Sequence, residues 1–119
     1  MKGIDLQDRL IQFAARIIKV SGALPNTIAG RHISGQLLRC GTAPASHHAE
    51  ARSAESHADF IHKMKIGVKE LNETEVWLKV IIASELVPKS RLTDLLDECI
   101  QLQKIFNSSI KTARQSAKQ

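Results

Sequence analysis

Five histidines, His32, His47, His48, His57 and His62, could do chemistry, because imidazole serves as acid, base or metal ligand near neutral pH. Metal sites in helical proteins need ligands converging from several helices, often as repeated Glu-x-x-His pairs. Only Asp59-x-x-His62 has comparable spacing, and it occurs once. No metal and no cofactor are expected. Arg52-Ser-Ala-Glu-Ser-His57 offers phosphoryl chemistry instead, with the guanidinium stabilising phosphorane charge and the imidazole moving the proton. Six-residue matches recur by chance, and this one falls at a helix junction where both types are ordinary surface residues. Other templates are missing. Gly30 and Gly35 lie in a helical pattern without Gly-Lys-Ser/Thr, and no Ser-His-Asp or Cys-His-Asn set has a nucleophile elbow. No catalytic residue is assigned, and the protein is expected not to be an enzyme.

Cations give a broader signal. Seventeen Lys and Arg against twelve Asp and Glu leave a net charge of +5. By segment the balance is +2 over 1–22, +2 over 26–52, −2 over 55–85 and +3 over 88–119. The last sixteen residues hold Lys104, Lys111, Arg114 and Lys118 and no acid. A basic surface of this kind favours polyanions such as RNA or DNA, although a solvated basic tail over 111–119 explains the same residues. The candidate nucleic-acid-binding set is Arg9, Arg16 and Lys19 near the start with Lys104, Lys111, Arg114 and Lys118 near the end. Single-strand recognition uses stacking aromatics, and Phe13, Phe60, Phe106 and Trp77 all have helix positions compatible with burial. Binding is therefore expected to be directed at the phosphate backbone and to fall with salt.

These groups must be held by helices. No segment sustains strand alternation, and the apolar pattern splits into four amphipathic stretches, roughly 4–22, 27–53, 56–85 and 90–115. Gly22-Ala-Leu-Pro25-Asn26 separates the first two, with Asn26 or Thr27 as N-cap. Ser53 to Ser56 makes the next junction, Ser56 preceding Asp59 at capping-box spacing, and Val87-Pro88-Lys89-Ser90 the last, with Ser90 as cap. Pro44 lies inside the second stretch and should kink or locally open it. The 119 residues make one domain, 1–119, large enough for a core without staples. Short connections predict an all-α, antiparallel up-down-up-down four-helix bundle. Cys40 and Cys99 form no Cys-x-x-Cys pair and read as buried small hydrophobes. No apolar run is long enough to span a membrane, and Asp5 and Asp8 argue against a secretory signal, so a cytoplasmic protein is expected.

The first helix carries two apolar stripes. Leu6, Leu10, Phe13, Ala14, Ile17 and Val20 form one; Ile4, Ile11 and Ile18 form another about 130° away. The third helix is apolar nearly all round at Val76–Ile82, where Trp77 and Ile81 join Ile4, Ile11 and Ile18 as candidate interface residues. Surface of this kind seldom stays exposed on a monomer, so a homo-oligomer is expected. Glu75 falls among Ile61, Met64, Val68, Leu71, Leu78 and Ile82, and needs a partner; Arg31 and Arg39 are the candidates.

The stretch Gly30–Ile82 resembles the four-helix-bundle proteins encoded in intervening sequences of bacterial 23S ribosomal RNA genes. The resemblance rests on Gly-Arg-His-Ile-x-x-Gln-Leu-Leu-Arg at 30–39, Cys-Gly-Thr at 40–42, Ala-Glu-Ala-Arg at 49–52, Asp-Phe-Ile-His-Lys at 59–63 and Glu73–Leu78. His47-His48 departs from the Asn-Tyr common there. The resemblance implies a homopentameric barrel, on which five copies at +5 would concentrate +25. It extends to the accessory variability determinant of diversity-generating retroelements, whose similar pentamer engages a reverse transcriptase and its RNA through a basic surface. Arg52-x4-His57 resembles instead the motif of the HEPN ribonucleases. The expected function is thus a non-enzymatic scaffold for RNA or a ribonucleoprotein, with no membrane or small-molecule partner. The alternatives are a protein-interaction module and a metal-independent ribonuclease using Arg52 and His57.

Overall fold

The computed structural model describes residues 5–118. They form four α-helices, α1 (Leu6–Ala23), α2 (Ile28–Arg52), α3 (His57–Ala83) and α4 (Thr93–Ala117), with one 3-10 turn, Lys89–Arg91, before α4. No strand occurs among the described residues. None of these helices is long and apolar enough to cross a membrane.

Side-chain caps fix three of the four starts. Asp5 accepts the Gln7 N–H at 3.3 Å, Thr27 the Gly30 N–H at 3.0 Å and Ser56 the Asp59 N–H at 3.0 Å. The fourth start differs from expectation. Pro88 sets up a tight turn in which the Arg91 and Leu92 N–H groups bond to Pro88 and Lys89 carbonyls, so Ser90 lies inside the turn. Helix α4 then begins at Leu92 without a side-chain cap. Helix α3 ends in a Schellman arrangement, with Leu86 N–H on the Ile81 carbonyl and Glu85 N–H on that of Ile82. Glu85 takes the left-handed position, φ 57°, where glycine is usual.

Helix α2 bears on a second expectation, that Pro44 should kink or locally open it. Pro44 has no N–H to give the preceding turn, yet helical backbone continues without opening from Ile28 to Arg52. Pro44 is buried, so packing holds the helix around the missing bond.

One core runs through the four helices, with Phe13, Ile17, Leu37, Leu71, Leu78, Leu102 and Phe106 almost wholly buried. Burying each such side chain contributes about 1.5–3 kcal/mol before chain entropy is counted. Glycines bring the helices close. A Cβ on Gly41 would sit 2.7 Å from Ile17, and one on Gly67 would sit 2.5 Å from the Phe106 ring. A Cβ on Gly30 would lie 1.9 Å from the Pro25 carbonyl oxygen, so the α1–α2 connection closes only over glycine. Helices α1 and α2 are tied at both ends, through Gln7 Nε2 on the Ala45 carbonyl at 3.1 Å and Ser34 Oγ on the Ser21 carbonyl at 3.3 Å. Helix α2 packs extensively on α3 and α3 on α4, whereas α1 meets α4 more thinly.

On α3 the inner row is Met64, Gly67, Leu71, Thr74, Leu78 and Ile81. Val68 and Ile82 stand to one side, half-buried. Ile81 is fully buried within the protomer, which removes it from the expected interface set. A hydrophobicity pattern misses this phase because glycine and threonine occupy two seam positions. Thr74 is tolerated there because its hydroxyl donates to the Glu70 carbonyl at 2.7 Å.

Candidate nucleic-acid interface

Helix α4 buries Leu95, Cys99, Leu102, Phe106, Ile110 and Ala113. At 3.6 residues per turn, Lys104, Lys111, Arg114 and Lys118 fall within an arc of about 80° on another face. All four are exposed. Seven residues separate Lys104 from Lys111 and Lys111 from Lys118, about 10 Å of helix each. Helix α3 adds two cations absent from the sequence-derived set. Lys65 and Lys69, one turn apart and both exposed, join Arg114 around a groove of about 230 Å³ with Val68, Asn107 and Ile110. Among the described residues none of these six cations lies within 4.0 Å of a carboxylate. Their i, i+4 spacing on a mixed-charge helix gave no hint that they would meet α4.

The cations of α1 divide. Arg9 is engaged: its guanidinium forms a fork with Glu98 of α4, at 2.6 Å and 3.1 Å, and both side chains are largely covered. That pair raises the Arg9 pKa and engages Arg9 within the protomer, unlike the unpaired cations of α4. Arg16 and Lys19 are exposed and line a separate cavity with Arg91, away from the α4 row.

The belt formed by α2 and α3 is neutralised. Arg39 reaches both Glu70, at 3.2 Å, and Glu73, and Glu73 also accepts the Trp77 indole N–H at 3.0 Å. The Arg39 hydrogen bond, then the Trp77 one, hold the Glu73 carboxyl below its usual range. Trp77 is half-buried and packs edge-on against His32, with centroids 5.9 Å apart. Glu75 does not pair with Arg31 or Arg39. It lies at the flank of the seam and accepts from Lys79 at 2.6 Å and Gln103 at 2.8 Å, which lower its pKa in that order. Arg31 bonds Asn26 instead, at 3.0 Å.

The second apolar stripe of α1 stays uncovered within the protomer, Ile11 being 48% and Ile18 55% exposed; Ile4 lies outside the described residues. Val76 and Val80 of α3 are exposed as well. Phe13 and Phe106 are buried and Phe60 and Trp77 half-buried, so among the described residues no Phe or Trp is exposed as a stacking platform, although His32, His57 and His62 are exposed.

Arg52 and His57 border one shallow depression at the α2–α3 turn, but no hydrogen bond joins them. The Arg52 guanidinium lies 3.6 Å from Asp5. His48 is buried, and its Nδ1 sits 2.6 Å from the Gln7 amide oxygen. Burial first, then the Arg52 charge, lowers its pKa, while Asp5 opposes. His47 faces Glu50 at 3.7 Å. Among the described residues no group of three or more His, Cys, Asp or Glu side chains is placed to hold a metal. Cys40 and Cys99 are buried free thiols whose pKa values rise through burial, that of Cys99 to about 12.

No curated protein matches the sequence. Residues 2–108 match the family profile described as 23S rRNA-intervening sequence protein. The chain is also similar to a crystal structure from Bacteroides thetaiotaomicron, described as a protein of unknown function from the S23 ribosomal protein family. The two are 34% identical with a TM-score of 0.84, over 90% of this chain and 99% of that one. The chain belongs to the 23S rRNA-intervening sequence protein family.

Proposed function

We propose that the protein is a non-enzymatic scaffold that binds RNA, alone or within a ribonucleoprotein, through its phosphate backbone. The observation that carries this reading is the row of cations without carboxylate partners on α4, extended across the groove by Lys65 and Lys69. A folded chain that pairs Arg9, Arg39, Arg52, Lys63 and Lys79 leaves these six in solvent. Such a row raises the local potential and exchanges condensed counterions for phosphate contacts. The lack of an exposed Phe or Trp among the described residues favours contacts to backbone over bases.

In this reading the helices run up-down-up-down, each antiparallel to the next, and copies assemble as a cytoplasmic homopentamer. The contacts at both ends of α1 and α2 support the first, and exposed Ile11, Ile18, Val76 and Val80 support a helical partner surface. The test is binding of labelled RNA at several salt concentrations, with mass by light scattering in the same samples. Tight, salt-sensitive binding by an oligomer is expected. Salt-independent or absent binding would replace this reading with a protein-interaction module. RNA cleavage abolished by His57→Ala in a folded variant would replace it with a ribonuclease.

A further inference from the structure

We propose that the cleft between α1, the 3-10 turn and α4 binds a small carboxylate carrying a compact apolar body, an aromatic or branched aliphatic acid. The cleft is a cavity of about 180 Å³. Val20, Ala23, Val87 and Leu95 make its floor, and Arg16, Lys19 and Arg91 stand around it. Val87 and Leu95 are each only 2% exposed, so that part of the floor belongs to the core, while Val20 is half-buried and Ala23 exposed at its edge.

Like the groove beside Lys65, Lys69 and Arg114, this cavity is basic; its floor differs in including the buried Val87 and Leu95. No carboxylate lines it, and among the described residues none of its three cations lies within 4.0 Å of one. Three cations at the rim of an apolar wall raise the local positive potential, which favours an anion there. Helix α4 also begins here without a side-chain cap, and Leu95 is its third residue; the exposed Asp94 of the same turn offsets part of the positive helix end.

Size and lining select the ligand. A cavity of about 150 Å³ lined by aliphatic side chains admits benzene. The space here therefore takes a six-membered ring or a short branched chain, with its carboxylate at the basic rim. Inorganic phosphate would leave the aliphatic floor uncovered, and a nucleotide is too large and too polar for it. Arg91, which completes the site, comes from a turn that carries no hydrophobic periodicity.

Benzoate is the probe, followed through backbone amide signals of the full-length protein. Saturable shifts at Val20, Ala23, Val87 and Leu95 are expected. Benzamide, equal in shape but neutral, and inorganic phosphate, charged but without the body, should each bind about tenfold more weakly. Arg91→Gln should weaken benzoate about tenfold with the rest of the spectrum unchanged. Ala23→Leu, which fills the cleft from an exposed position, should remove the shifts. Absence of saturable shifts at these amides would overturn the proposal. So would benzamide binding equal to benzoate (an apolar slot alone), phosphate binding equal to benzoate (a plain cation cluster), or full binding by Arg91→Gln.

Discussion

The belt of α2 and α3 and the outer face of α4 are both rich in charge, and they use it in opposite ways. In the belt Arg39 spans Glu70 and Glu73, Glu73 also holds the Trp77 indole, and Lys79 holds Glu75. Around Arg39 these charges have partners, so this part of the belt fixes the facing helices and presents little net field. On α4, Lys104, Lys111, Arg114 and Lys118 share one arc, with Lys65 and Lys69 across the groove, and none finds a carboxylate among the described residues. Paired charges of the first kind set geometry, whereas unpaired ones of the second kind set affinity for something else.

The largest effect that separates the two regions should come from reversing the unpaired row. Changing Lys104, Lys111, Arg114 and Lys118 together to Glu should cut RNA affinity about a hundredfold or more at about 50 mM salt. The melting temperature should stay near that of the parent, since exposed unpaired charges contribute little to stability. Next comes Gly67→Ala, which pushes a methyl into the Phe106 ring beneath the groove and should cost about 1–3 kcal/mol in denaturant unfolding. Arg39→Ala should lower the melting temperature slightly and leave RNA affinity unchanged, because the pair is solvent-screened.

The smallest effects appear on acidification. His48 has a lowered folded-state pKa, so the unfolded chain takes up its proton first, and its contribution is lost as pH falls below about 6.5. Glu73, also depressed by its partners, contributes above the ordinary carboxylate range and loses that contribution as pH falls through it. Melting temperature against pH should therefore decline in two steps. His48→Gln should remove the upper step and Arg39→Ala should shrink the lower, which Glu75 shares.

Much of this arrangement was legible in the residues. Thr27 and Ser56 announced two helix starts, and Ile11 and Ile18 announced a face of α1 that the protomer leaves uncovered. The four cations of α4 stood out as the acid-free end of the sequence, and helical spacing sets them on one arc. What escaped the sequence was pairing between distant elements. Nothing local marks Arg9 as the partner of Glu98, or Lys65 and Lys69 as neighbours of Arg114, because those meetings depend on how helices pack. The phase of α3 was missed for a related reason: Gly67 and Thr74 sit at buried seam positions by virtue of small size and a local hydrogen bond. Local opening at Pro44 does not occur, because burial of that turn is a property of the whole fold.

The most direct test of the central claim is the salt dependence of RNA binding, measured side by side for the parent and for the fourfold reversal on α4. With four to six phosphate contacts engaged, the logarithm of affinity should fall against the logarithm of salt with a slope of about −3 or steeper, shallower by roughly 0.7–0.9 for each contact removed. A slope near zero, or one that the reversal leaves unchanged, would contradict the account.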